Sequence, residues 1–186
     1  MKYPRSHKEK IRDKLLYNAS EQIRDVGLNN VSVKSVMGSE NMTVGGFYTH
    51  FDSKEDLLIQ AIQNAFETTY IEFYDKINTR TNASWTKKVI ERYLSNYHRD
   101  NVAISCPAAT LMNDVSKASD EVRIVFESNL KKLIETFEPR VEKDKAIGLL
   151  AMLAGGLQLA RSTSDDEYSN EILQACIRSA TTFLKA

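Results

Sequence analysis

Cys106 immediately precedes Pro107 at the head of a predicted helix. The backbone dipole at a helix start favours a thiolate and lowers a cysteine pKa. A buried, inert cysteine fits the same residues equally. Cys176 has no such setting and reads as packing. Two cysteines in all cannot build a disulfide scaffold or a four-cysteine zinc site. The three histidines, His7, His50 and His98, are scattered. No phosphate-cradling glycine-rich loop, Gly-x-Ser-x-Gly or His-Glu-x-x-His occurs. Asp165-Asp166-Glu167 reads as an acidic cluster at a helix start rather than a metal site. An enzyme is therefore not expected, nor a bound metal or cofactor. The denser constellation lies in residues 31–58. There Val33, Val36, Met37, Met42, Phe47 and Phe51 suit a small core, which leaves Lys34, Thr43, Val44, Gly45, Gly46, Tyr48, Thr49 and His50 for exposed faces.

The elements that position these residues read as helices throughout. Seven Gly and three Pro leave few breakers. Apolar residues recur at three-and-four spacing, and no alternating pattern competes. A first helix spans about Lys8 to Val26, with Ile11, Leu15, Ala19, Ile23 and Val26 on one face and Gly27 as its C-cap. Ser32 caps a short helix to about Ser39. Glu40-Asn41-Met42 reads as a tight turn, since Asn tolerates a left-handed backbone. Thr43 caps a second short helix to about His50. Asp52 or Ser53 caps a long helix that could reach Asn78. After the polar connector Thr79-Arg80-Thr81-Asn82, further helices are expected over about 83–99, 107–117, 119 to before Pro139, 143–163 and 167–185. The fold class is thus all-α, with about nine helices and no internal repeat.

Two short helices joined by a tight turn and preceded by a longer helix form a helix-turn-helix, whose second short helix lies in the DNA major groove. Gly45 and Gly46 each cost about 1 kcal/mol relative to Ala inside a helix. Stability would not place them there, but close approach to a DNA backbone or groove floor would. The bland alternative is a frayed loop. Composition sets bounds on this reading. Lys+Arg and Asp+Glu are each 25, so the net charge is zero and bulk charge cannot hold the chain on DNA. Locally, Lys2, Arg5, Lys8, Lys10 and Arg12 face only Glu9 within residues 1–12, a net +4. Such an arm can add phosphate or minor-groove contacts, or it can be a solvated tail. The longest uncharged apolar run, Ala146 to Ala160, is too short to span a bilayer. Without a charged-then-apolar leader, a cytoplasmic location is expected.

The segment VSVKSVMGSENMTVGGFYTHFDSKEDLL, Val31 to Leu58, resembles the DNA-binding region of the TetR family of bacterial regulators. Thr43, Gly45, Tyr48, His50, Phe51, Ser53, Lys54, Glu55 and Leu57 fit the family pattern of a capped short helix, a turn, Ser or Thr, then small-x-x-Tyr-x-His-Phe and x-Ser-Lys-Glu-x-Leu. Asn41 stands where the family usually has Gly, Val44 where it is often basic or small, and Gly38 where a helix former is usual. The resemblance implies a helix-turn-helix DNA-binding domain over residues 1–52 and a helical ligand-binding and dimerisation domain over 53–186. It implies that Tyr48, His50 and the Thr43 hydroxyl touch phosphates, as does Lys54 at the start of the long helix. Lys34 is placed to reach the backbone or a base edge, and Val44 and Gly45 could pack on thymine methyls. Thr49 completes the exposed set.

One such unit binds weakly, and two on a dyad read a pseudo-palindrome of double-stranded DNA, so a homodimer is expected. The last two helices are apolar on more than one side. Leu153, Gly156, Leu157, Ala160, Leu173, Ile177 and Ala180 are the candidate dimer residues, or else simply core. In the family the last two helices usually form the dimer. Aromatic residues Phe66, Tyr70, Phe73, Tyr74, Trp85, Tyr93, Tyr97 and Phe126 concentrate in the middle. From them Tyr70, Tyr93, Tyr97 and Phe126, with Cys106, Met112 and Met152, are the candidate lining of a small-molecule site. Solid core is the alternative. Residues 105–109 and 154–161 resemble a TetR subgroup that includes sensors of reactive electrophiles. The expected function is a ligand-responsive transcriptional regulator, a repressor released from its operator by a small hydrophobic or electrophilic inducer. Sensing of oxidants or electrophiles through Cys106, and a helical protein-binding adaptor without DNA binding, are the alternatives. A steep fall of DNA affinity with salt separates the adaptor from the rest.

Overall fold

A computed structural model describes residues 7–71, 74, 77 and 81–185. Lys2 and Arg5 of the expected arm, with Phe73, Asn78, Thr79 and Arg80, lie outside the described residues. Among the described residues every regular element is helical: α1 His7–Val26, α2 Val33–Ser39, a 3-10 helix Val44–Thr49, α3 Lys54–Tyr70, α4 Asn82–Tyr93, α5 Asn96–Asp100, a 3-10 turn Val102–Ile104, α6 Pro107–Thr110, α7 Met112–Val115, α8 Asp120–Glu135, α9 Lys143–Arg161 and α10 Asp166–Phe183. None is long and apolar enough to cross a membrane.

The starts of the helices follow from their caps. The side chains of Ser32, Ser53, Thr81, Ser95, Ser119 and Asp165 each accept a backbone N–H from the first turn that follows. Such caps are worth about 1 kcal/mol each. Gly27 closes α1 at φ 84°, and Asn41 takes φ 55° in the turn after α2. Both conformations are left-handed, which Gly and Asn tolerate.

α1 packs along α3. Leu15, Ala19 and Ile23 of α1, and Leu57, Ala61, Ile62 and Ala65 of α3, are fully buried. Each Leu or Ile so buried contributes roughly 1.5–3 kcal/mol. α3 also packs on α8, α9 on α10, and α6 touches both α3 and α9. The α1–α2 corner is tied to α7: the Asp114 carboxylate accepts the Leu28 N–H at 2.8 Å.

Two expected helices are broken. The one over 83–99 stops at Leu94 (φ −95°, ψ 38°), where the Ser95 hydroxyl accepts the His98 N–H and starts α5 instead. The one after Pro107 divides at Leu111, which is fully buried with φ −106° and ψ −9°. The second short helix of the N-terminal unit is 3-10 rather than α. Its Gly-Gly pair gives little helix propensity, and six residues are too few to propagate an α-helix.

Gly148 and Gly156 let α10 approach α9. A Cβ on Gly156 would stand 2.6 Å from Cys176 Sγ, and one on Gly148 would stand 3.0 Å from the Phe183 ring. Gly156→Ala is expected to cost about 1–2 kcal/mol, because overpacking outweighs the gain in helix propensity. Gly38→Ala, which meets nothing within 4 Å, should stabilise by about 0.5–1 kcal/mol. Thermal unfolding of the two variants should therefore move in opposite directions, by about 2–4 °C per kcal/mol at this chain length.

Candidate functional site

The N-terminal unit is held from inside by Val36, Met37, Phe47 and Phe51, all buried, with Val33 and Met42 partly so. Met42 N–H donates to the Met37 carbonyl at 3.0 Å and Asn41 N–H to Gly38 at 3.1 Å, which closes the turn. Gly46 sits over Met37 and Met42, each within 3.6 Å of the position its Cβ would take. The apolar anchors leave Lys34, Thr43, Val44, Gly45, Tyr48, Thr49 and Lys54 exposed and His50 half-buried. Tyr48 is 75% exposed, and its ring stands edge-on to Phe47 at 5.3 Å. The Thr49 hydroxyl turns back to the Gly46 carbonyl at 2.7 Å. Thr43 caps the 3-10 helix by backbone geometry alone, so its hydroxyl is left for another partner.

The imidazole of His50 is pushed below its ordinary pKa by burial first, then by Lys8 and Arg12. Its Nδ1 is buried with no hydrogen-bond partner. At neutral pH this histidine is uncharged, so any phosphate it meets is met through one N–H donor.

A frame that the sequence did not disclose holds this unit on α1. Arg12 donates from Nε to the His50 carbonyl at 3.3 Å and from Nη2 to Gln60 Oε1, while its guanidinium lies over the Phe51 ring. Gln60 passes the connection to Asp56 Oδ1 at 2.7 Å, and Asp56 Oδ2 accepts the Asp52 N–H at 3.1 Å. At the turn, Glu40 accepts from Asn18 at 2.9 Å and pairs with Lys14 at 3.4 Å. Arg12, counted above with the basic arm, is thus spent inside the protein. Its only sequence signal is its place beside the apolar stripe of α1.

The regulatory half departs from expectation in three places. Cys106 does stand before Pro107 at the start of α6, but it is fully buried. Burial pushes its thiol up, which outweighs the dipole of a four-residue helix. Its backbone N–H donates to His98 Nε2 at 3.0 Å, the Ser105 hydroxyl meets the same nitrogen at 2.7 Å, and His98 Nδ1 meets the Tyr93 carbonyl at 2.7 Å. His98 therefore carries its proton on Nδ1 and is satisfied as a neutral ring. Its pKa falls to about 3, mainly through burial.

The candidate dimer residues lie mostly on the inner side. Leu153, Gly156, Leu157, Ala160, Leu173 and Ala180 are buried within one chain and Ile177 is partly buried. They are used to pack α9 on α10 and on the body, so they cannot meet a second copy. The open side of α9 instead carries Ile147, Ala151, Gly155 and Leu159 at four-residue spacing.

Nor do the candidate ligand residues share one cavity. Tyr70 lines a cleft of about 380 Å³ between α3 and α8, with Phe66, Leu133, Asn129 and Lys132. Tyr97 lines a second cleft of about 280 Å³. Met112 and Phe126 line a shallow depression beside α8. Tyr93 and Cys106 are closed core, and Met152 packs against that core from a partly buried position. Among the described residues no group of His, Cys, Asp and Glu is placed to hold a metal ion.

Comparison with known proteins follows this geometry. Residues 15–61 match the model of the bacterial regulatory proteins of the tetR family. No curated protein matches the chain by sequence. Solved structures do match over nearly the whole chain. The reduced form of E. coli NemR superposes with a TM-score of 0.79 at 15% identity, covering 94% of this chain and 97% of that one. A TetR-family transcriptional regulator from Agrobacterium tumefaciens gives 0.76 at 16% identity, covering 93% and 98%. A TetR transcriptional regulator from Chloroflexus aurantiacus J-10-FL gives 0.76 at 16%, covering 96% of each. At these identities the likeness is one of fold.

Proposed function

We propose that this chain, which carries the tetR-family N-terminal domain on the fold of TetR-family transcriptional regulators, binds a pseudo-palindromic DNA operator as a homodimer and releases it when a small molecule occupies the regulatory half. The observation that carries this reading is the exposure of Tyr48. A large aromatic with a hydroxyl is held 75% in solvent by a buried Phe47 beside it. Folding gains little from that arrangement, whereas a hydroxyl aimed at a phosphate uses it. Thr43, Thr49 and His50 add donors along the same 3-10 helix, Lys34 and Lys54 add cations, and Val44 and Gly45 offer a small apolar surface to thymine methyls.

Two units must act together, and the dimer is assigned to the outer stripe Ile147, Ala151, Gly155 and Leu159. A side chain on Gly155 would meet nothing within 4 Å in the single chain. Leu159 is 60% exposed, so Leu159→Glu should leave the fold intact. It should convert the particle to a monomer by light scattering and weaken operator binding at least about 100-fold, because one recognition unit is lost from each complex. A folded Leu159→Glu dimer with full affinity would remove this stripe from the interface.

Genomic fragments retained by the purified protein, followed by a salt titration of the tightest one, test the reading as a whole. Affinity should fall by several decades between about 50 and 200 mM salt. No retained fragment, or affinity indifferent to salt, would favour the protein-binding adaptor instead. The cleft of about 380 Å³ between α3 and α8 is the first place to seek the effector, since α3 begins at Lys54 and so joins the cleft to the DNA-facing unit. Only a ligand with different affinity for the two states can shift the equilibrium. The setting of Cys106, closed and with its thiol pushed up, favours packing over electrophile sensing.

A further inference from the structure

The cleft of about 280 Å³ lies where α1 meets the regulatory half. Tyr17 and Arg24 come from α1, Ile71 follows α3, and Arg92, Tyr97 and Ile104 complete the wall. Arg24 is 96% buried. All its bonds go to neutral oxygens: Nε to the Ser20 carbonyl at 2.9 Å, Nη1 to Thr69 Oγ1 at 3.4 Å and the Ser105 carbonyl at 3.2 Å, and Nη2 to Ser20 Oγ at 3.3 Å. A guanidinium has one more N–H than these bonds use, and the spare one is on Nη2. A buried cation without an anion is costly, and proteins ordinarily pair it. Here the unfilled partner position opens on a cleft with a second arginine and two tyrosine rings.

We propose that this cleft is a binding site for a small aromatic carboxylate, whose anionic end pairs with Arg24 and whose ring lies among Tyr17, Tyr97, Ile71 and Ile104. The planar guanidinium fork suits a carboxylate, and the apolar wall suits one ring rather than a long chain at this volume. Burial lowers the Arg24 pKa to about 10 against the attraction of Glu21, Cys106 and Tyr17. The cation thus persists at neutral pH in a setting that an anion would improve. Because Arg24 bonds Thr69 after the middle of α3 and the Ser105 carbonyl just ahead of α6, a ligand there touches α1 and the regulatory half at once. This deepens the proposed function by naming the effector class and placing a site directly on α1.

Benzoate and its neutral counterpart benzyl alcohol are the probes, titrated calorimetrically into the full DNA-free protein. Benzoate should bind and raise Tm with concentration, while benzyl alcohol should bind at least about tenfold more weakly. Arg24→Gln should lose benzoate affinity. Since that variant could unfold, the exposed Arg92→Gln and the 64%-exposed Tyr97→Ala are the second arm, each expected to weaken benzoate while keeping the wild-type Tm without ligand. No benzoate binding, equal binding of the alcohol, or wild-type benzoate affinity in a folded Arg24→Gln protein overturns the site. The readout contains no DNA, so benzoate binding by a protein that retains no operator supports this site while sinking the regulator. Operator retention without benzoate binding does the reverse.

Discussion

Tyr48→Phe combined with Lys54→Gln should lower operator affinity about a thousandfold with no change in Tm. Tyr48→Phe removes one hydroxyl–phosphate bond per subunit, and bonds to charged groups are worth about 1.5 kcal/mol or more. Two subunits give about 3 kcal/mol, close to a hundredfold. Lys54→Gln removes one counterion-releasing contact per subunit, so the slope of log affinity against log salt should become shallower by about 2. Tyr48 is 75% exposed and Lys54 is exposed, so neither contributes to the core. Fluorescence anisotropy at several salt concentrations reads both effects. An unchanged slope would mean that Lys54 meets no phosphate, and unchanged affinity would remove the exposed face of the 3-10 helix from the interface.

The largest effect on stability is expected at His98. His98→Ala would strip partners from the Tyr93 carbonyl, the Ser105 hydroxyl and the Cys106 N–H at once and leave a cavity in the core. The cost should be about 4 kcal/mol, read as a fall in Tm of roughly 10 °C. The same residue sets an acid sensitivity. In the folded protein its pKa lies at about 3 against 6.5 in the free chain. Between those values the unfolded chain takes up a proton that the folded one refuses. The stability His98 provides is therefore complete above pH 6.5 and is lost as pH falls toward 3, at up to about 1.4 kcal/mol per unit. His98→Asn keeps one donor and one acceptor but cannot titrate. Its denaturant stability should be lower at pH 7, yet should fall less steeply than the wild type between pH 6.5 and 5. Parallel slopes would show that His98 opens to solvent before the protein unfolds.

Much of the N-terminal unit was legible because its signals are local. Ser32, Asn41 and Ser53 act within a few residues of themselves, and the buried set Val36, Met37, Phe47 and Phe51 follows helical spacing. The breaks at Leu94 and Leu111 were not legible. Helical periodicity runs through both, and what interrupts it is tertiary: three bonds converging on His98, and the burial of Leu111. The faces of α9 and α10 were ambiguous for another reason. Both helices are apolar on more than one side, so spacing could not say whether Leu153 or Leu159 faces a partner. Arg24 was passed over as an ordinary charge. Its signal was its place four residues after Ser20 and eight after Leu16, on a stripe that runs into the core. Thr43, Tyr48, His50 and Lys54 drew their expected roles from the resemblance, and their exposure supplies the physical complement.

Asp114 reaches across to the corner beside Gly27, and that single carboxylate bears on how the molecule can be dissected. A fragment ending at residue 52 would forfeit the acceptor for Leu28, the partner oxygens of Arg24 on Thr69 and Ser105, and the whole flank against which Leu15, Ala19 and Ile23 rest. Excised alone, the head should be a fluctuating chain, and its amide protons should exchange within seconds. The border drawn at residue 52 thus separates two tasks but not two independently folding bodies.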